Sequence, residues 1–193
     1  MSGVAPAVSY SLDTHSVVSN GIRPTHLLEA LNQTTGSDVL PSVTSLDGSG
    51  SYVVTWSGMD SEGDNSIFLQ RFHPSGEKHG ATIQLEATGR TNGDDRTPKT
   101  FAVGSNGAFV TVWSGVDQNG DLSIFTQLLN ADGTLNGNAT KLEAIGKTNG
   151  SDVDPKGVAL GDSGAYVVVW EGEIDSPIAV SYTHLTLPTI LLV

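Results

Sequence analysis

The chain has 193 residues, no cysteine, and a formal net charge of −12 from 21 acidic against 9 basic side chains. That balance disfavours a polyanion such as nucleic acid as partner and favours cations, while the missing thiols exclude a disulfide framework and a thiolate metal site. No stretch reaches the apolar length of a membrane span, and the opening MSGVAPAVSYSL has neither the basic start nor the apolar core of a signal peptide.

Residues 1–27 are expected to be the remnant of a preceding repeat, because SNG at 19–21 stands before Leu28-Glu29-Ala30 much as ADG at 131–133 stands before Leu142-Glu143-Ala144. From Leu28 onward the chain is a tandem repeat of 57-residue period. Trp56, Trp113 and Trp170 recur at that interval, as do Pro41, Pro98 and Pro155, and the Leu-Glu-Ala triplets that begin at Leu28, Leu85 and Leu142. The first two copies, 28–84 and 85–141, share 21 of 57 residues, a register that chance does not hold. The third, 142–179, keeps the register only to Gly172.

Each copy offers four short β-like runs. In the first they are PSVTSL (41–46), SYVVTW (51–56), SIFLQRF (66–72) and ATIQLEA (81–87), separated by joints such as DGSG (47–50) and HPSG (73–76) whose residues accept positive φ. Joints that short require antiparallel neighbours. The second run is apolar on both faces, with Tyr52, Val54 and Trp56 on one and Val53 on the other, so it must be covered on both sides. The predicted architecture is therefore all-β: tandem four-stranded antiparallel meanders forming β-propeller-like blades, incomplete in number. The alternative is a string of small β-sandwich beads, which four strands per copy serve poorly.

The loop after each Trp-bearing run reads DSEGDNS (60–66) and DQNGDLS (117–123). Asp60, Glu62 and Asp64, with Asp117, Asn119 and Asp121, place oxygen side chains on alternate residues of a tight turn, a spacing that suits a hard cation such as calcium. The competing reading is a solvated acidic turn, because the glycine falls at position four and no Glu closes the loop at position twelve. A second recurring loop, at 34–38, 91–95 and 148–152, reads as a turn before a strand led by Pro. His15, His26, His73 and His79 share no repeated position and no metal-ligand spacing, so they read as surface residues. No catalytic residue is assigned, since a catalytic pair is expected once and these carboxylates recur in each copy.

The pattern carried by Pro98 to Gly115 and Pro155 to Gly172, followed by Ser123 to Gln127 and Asn130 to Gly133, resembles repeats of large bacterial exported proteins of hemolysin-type, repeats-in-toxin or adhesin-like kind. The resemblance implies export, an extracellular or cell-surface location, and an unidentified surface or extracellular ligand. The G-G-x-G-x-D calcium nonapeptides of the toxin-type members are missing here. Residues 180–189, VSYTHLTLPT, resemble the translation of a transposase-type sequencing adapter, which implies that 180–193 is a tail foreign to the repeats and that the third copy is cut near Ala179.

Two functions are consistent with these features. The first is a noncatalytic repeat module of an exported surface or toxin-like protein, serving adhesion or spacing, with calcium as its candidate ion. The alternative is a piece of a propeller-type hydrolase or lyase whose catalytic residues lie outside this chain.

Overall fold

The computed structural model describes residues 12–14, 17–18, 21–22, 26–30, 36–87, 92–143, 150–174 and 176–186. Two short antiparallel pairs come first: β1 (Leu12–Thr14) with β4 (His26–Leu28), and β2 (Val17–Val18) with β3 (Gly21–Ile22). The first full sheet follows in the order β5 (Val39–Ser45), β6 (Tyr52–Met59), β7 (Asn65–Phe72), β8 (Lys78–Leu85). The second repeats that order with β9 (Asp95–Val103), β10 (Ala108–Val116), β11 (Leu122–Leu129) and β12 (Thr140–Leu142). The third has β13 (Asp152–Ala159), β14 (Tyr166–Ile174) and β15 (Ser176–Thr186). Residues 180–186, set apart in the sequence by their resemblance to an adapter, thus run as the outer strand of that sheet, and 187–193 lie outside the described residues.

Alternation decides which way each strand faces. On β6 and β7, Val54, Trp56, Phe68 and Phe72 pack on one side with Leu28 and Ala30. Val53, Ile67 and Leu69 point to the other side, where they share one cluster with Phe109, Trp113, Phe125 and Leu129 of the second sheet. Val110, Val112 and Ile124 in turn share a cluster with Val168 and Trp170 of the third. Cores shared between successive sheets are what blades have and beads lack, so the β-sandwich alternative is set aside. Trp56 and Trp113 are wholly buried and sit in equivalent places, each stacked on the Phe opposite it across the ladder, Phe68 at 6.0 Å and Phe125 at 5.9 Å.

The first strands of the sheets lie side by side, β5 against β9 and β9 against β13. Each carries a bulge just before its proline, where Leu40, Thr97 and Asp154 take φ of 55°, 53° and 51°. A left-handed residue without glycine costs about 1–2 kcal/mol, and here the same cost recurs in every sheet at the same point. The junctions differ in detail. Between the first and second sheets a threonine ladder closes the gap, with Thr44 Oγ1 donating to the Thr100 carbonyl at 2.5 Å and Thr100 Oγ1 lying 3.0 Å from Thr111 Oγ1. Between the second and third, the Phe101 ring lies on bare backbone: a Cβ added at Gly157 would fall 2.0 Å from Phe101 Cε1.

Gly157→Ala should therefore lower stability by about 1–3 kcal/mol, the usual cost of overpacking a fixed contact. Gly48→Ala, where a Cβ would meet nothing within 4 Å, should leave the melting temperature nearly unchanged. Paired thermal melts check this, and equal shifts in the two variants would contradict it.

Candidate functional site: carboxylates at one end of the sheets

Antiparallel order brings the start of each first strand, the loop between the second and third strands, and the end of the fourth strand to the same end. The loops singled out in the sequence lie there. Asp60 is buried, and its Oδ1 accepts from the amides of Glu62 at 2.7 Å and Gly63 at 3.1 Å, which shapes the turn. Its Oδ2 faces the other way and accepts from Ser66 Oγ at 2.8 Å and Gln84 Nε2 at 3.2 Å. Glu86, just past β8, receives Ser66 Oγ at 2.5 Å and Gln84 Nε2 at 2.5 Å.

The second repeat keeps the frame and changes one member. Asp117 Oδ1 accepts from the amides of Asn119 at 2.8 Å and Asp121 at 3.1 Å, while Ser123 Oγ stands 3.3 Å from both Asp117 and Glu143. Where the first repeat has Gln84 the second has Lys141, whose ammonium bonds Asp117 Oδ2 at 2.9 Å and pairs with Glu143. Burial alone would raise Asp117, but hydrogen bonds from Lys141 and the loop amides hold it below the usual carboxylate range.

Deeper in each sheet a second carboxylate meets the tryptophan. Asp38 Oδ1 accepts from the Trp56 indole at 3.0 Å. Asp95 Oδ2 accepts from the Ala87 amide at 3.0 Å, so it also ties the end of one sheet to the start of the next. These side chains lie against glycine: an added Cβ would fall 2.3 Å from Asp38 Oδ1 at Gly58, and 2.1 Å from Asp95 Oδ1 at Gly115. Burial pushes Asp38 and Asp152 up to about 6, and it pushes Asp95, with Glu86 adding repulsion, up to about 8. Burial also raises Glu86 and Asp64, the latter helped by Asp60.

The structure thus gathers only part of the set predicted from sequence. Asp60 and Asp64 come together, with Glu86 and Asp95 completing the cluster, and Asp117 turns inward in the second repeat. Glu62 and Asn119 are exposed on the loop tips, away from it. Among the described residues no group of three or more His, Asp or Glu side chains is arranged to hold a metal ion. The sequence reading missed Glu86, Asp38 and Asp95, although the recurrent Leu-Glu-Ala triplet and the recurrent Asp before each proline carried the signal.

No protein-family model and no curated protein matches the chain. Among solved structures it is similar to an endo-arabinase from Bacteroides thetaiotaomicron VPI-5482, at 13% identity and a TM-score of 0.50, over 93% of this chain and 72% of that one. A GH43 endo-arabinanase from Bacillus licheniformis aligns at 14% identity and a TM-score of 0.43, over 86% of this chain and 57% of that one. The expectation that the chain is not an enzyme is corrected on the first of these. The neighbour with the same arrangement of sheets is an enzyme, so repetition of a blade does not argue against catalysis.

A carboxyl whose folded pKa lies above its unfolded value stabilises the fold fully below the unfolded pKa and loses that contribution as pH rises through the folded one. Asp38 and Asp152 place that loss between about 4 and 6, and Asp95 extends it to about 8. The melting temperature should fall steadily from pH 4.5 to pH 8.5. A rise over that interval would contradict the burial assigned to these groups.

Proposed function

We propose that this chain is a run of blades from a propeller-type glycoside hydrolase acting on a polysaccharide, with arabinan-like chains as the first class to test. The observation that carries the proposal is the likeness in sheet arrangement to the Bacteroides endo-arabinase, joined to the gathering of carboxylates at one end of the sheets. Glycoside hydrolysis uses a pair of carboxyl groups, one protonating the leaving oxygen and one acting as base or nucleophile. Asp38, Asp95 and Asp152 recur in every sheet and are buried, which suits a structural task. Asp94 and Asp154 are single-copy, their counterparts being Ser37 and Ser151, and Leu40 and Thr97. Asp154 is exposed on β13, and Asp94 is part-exposed, held by Asn65 Nδ2 at 3.0 Å and Arg96 at 3.3 Å. These two are the candidate catalytic carboxylates. A polymeric substrate also fits the extracellular location implied by the resemblance to exported proteins.

The test is release of reducing sugar from linear arabinan, with arabinoxylan and cellulose as comparators. Cleavage of arabinan that drops by about 100-fold or more in Asp154→Asn or Asp94→Asn, the scale of losing a general acid or base, is the expected result. No release from any of the three polymers, or release unchanged in both variants, would refute it.

A further inference from the structure

The two junction clusters differ in one respect with a chemical consequence. In the first repeat, Ser66 Oγ and Gln84 Nε2 make five short contacts: Ser66 with Asp60 and Glu86, and Gln84 with Asp60, Glu86 and Ser66. A hydroxyl has one hydrogen to donate and a primary amide two, and an ionised carboxylate has none. Three hydrogens serve five contacts. Turning the Gln84 amide over worsens the shortage, since its oxygen would then face the carboxylates. Two further carboxylate oxygens in the same neighbourhood, Asp64 Oδ2 and Glu86 Oε2, are buried with no hydrogen-bond partner. The second repeat meets the corresponding need with the Lys141 ammonium, set between Asp117 and Glu143.

We propose that the first junction is a proton-operated clasp: it takes up a proton at Glu86 to stay closed, whereas the second carries a fixed positive charge in Lys141. The most direct place for that proton is between Glu86 Oε1 and Ser66 Oγ, 2.5 Å apart, with the carboxyl donating to Ser66 and Ser66 donating to Asp60. The charged and titratable groups around it are Asp60, Glu62 and Asp64 from the loop before β7, Glu86 after β8, and Asp94, Asp95 and Arg96 at the start of β9. Arg96 is turned to Asp94 on the exposed side. Among the described residues no cation reaches the cluster. Burial raises the pKa of Glu86, in agreement with proton uptake there. As pH rises, the proton leaves, like charges face each other across the junction, and the end of the first sheet loosens from the start of the second. The fold therefore has one junction whose closure depends on a proton at Glu86 and a second in which the Lys141 ammonium takes that place.

The experiment compares melting temperature against pH, from 5 to 8.5, for the intact chain and for Gln84→Lys, Glu86→Gln and Lys141→Gln. Gln84→Lys installs the second repeat's ammonium, and Glu86→Gln mimics the protonated carboxyl. Both should flatten the fall in melting temperature relative to the parent, while Lys141→Gln should steepen it. Glu86→Gln serves if Gln84→Lys does not fold. Parallel slopes in the parent and in these two variants would overturn the proposal. So would recovery of the pH 8.5 melting temperature by millimolar calcium beyond an equal ionic strength of sodium chloride, because the cluster would then be a cation site.

Discussion

The structure depends on a carboxylate buried beside a tryptophan. Trp56 cannot be buried without a partner for its indole N–H, and a buried carboxylate cannot keep its charge without donors aimed at it. Asp38 and Trp56 solve each other's problem at 3.0 Å, and the same pairing of residue types recurs 57 and 114 positions later. The second instance is looser at the indole, where neither Asp95 Oδ1 nor Trp113 Nε1 closes a hydrogen bond, yet Asp95 still holds the Ala87 amide. Glycine at 58 and 115 is the condition for this packing, since any side chain there would occupy the place of the carboxylate oxygen.

From that pair the rest of the geometry follows. The aspartate stands at the start of the first strand of a sheet and the tryptophan near the end of the second, so their contact fixes the two strands against each other. Through Ala87 the second aspartate also fixes where the previous sheet ends. The bulges at Leu40, Thr97 and Asp154 come directly after, and they let the chain enter its inner strand at an angle that a regular ladder would not allow. Successive sheets then bury Val53, Ile67, Phe109 and Trp113 in one shared core. Each sheet is thus both a unit and half of its neighbour's interior, as repeat architectures require.

The strands and the two-sided burial of β6 and β10 were legible in the sequence, because apolar residues on both parities leave little choice, whereas on β14 Val167 and Val169 are only half-buried. The site was less so. Asp38, Asp95 and Asp152 sit among Gly, Ser and Asn, where turn chemistry accounts for an aspartate fully. Only a tryptophan 18 residues away shows that Asp38 faces inward. The spacing of the Asp60 loop shows oxygens on alternate residues, but not that Asp60 Oδ1 accepts from its own loop amides while Oδ2 accepts from Ser66 on β7 and Gln84 on β8. The left-handed residue before each proline runs against the extended preference of that position, so no local rule would have placed it. The exchange of Gln84 for Lys141 is visible in the alignment of the copies, yet it acquires meaning only once Ser66, Asp60 and Glu86 are seen to converge.

The most direct measurement is a double-mutant cycle on the first pair: Trp56→Phe, which keeps a ring and removes the N–H, Asp38→Asn, and the combination, each followed by denaturant unfolding at pH 8. At that pH Asp38 is ionised, so the hydrogen bond is charge-assisted and the coupling should be about 1.5–3 kcal/mol. Additivity of the two substitutions to within about 0.5 kcal/mol would mean that the pair does not hold the sheet, and the account would fail at its base.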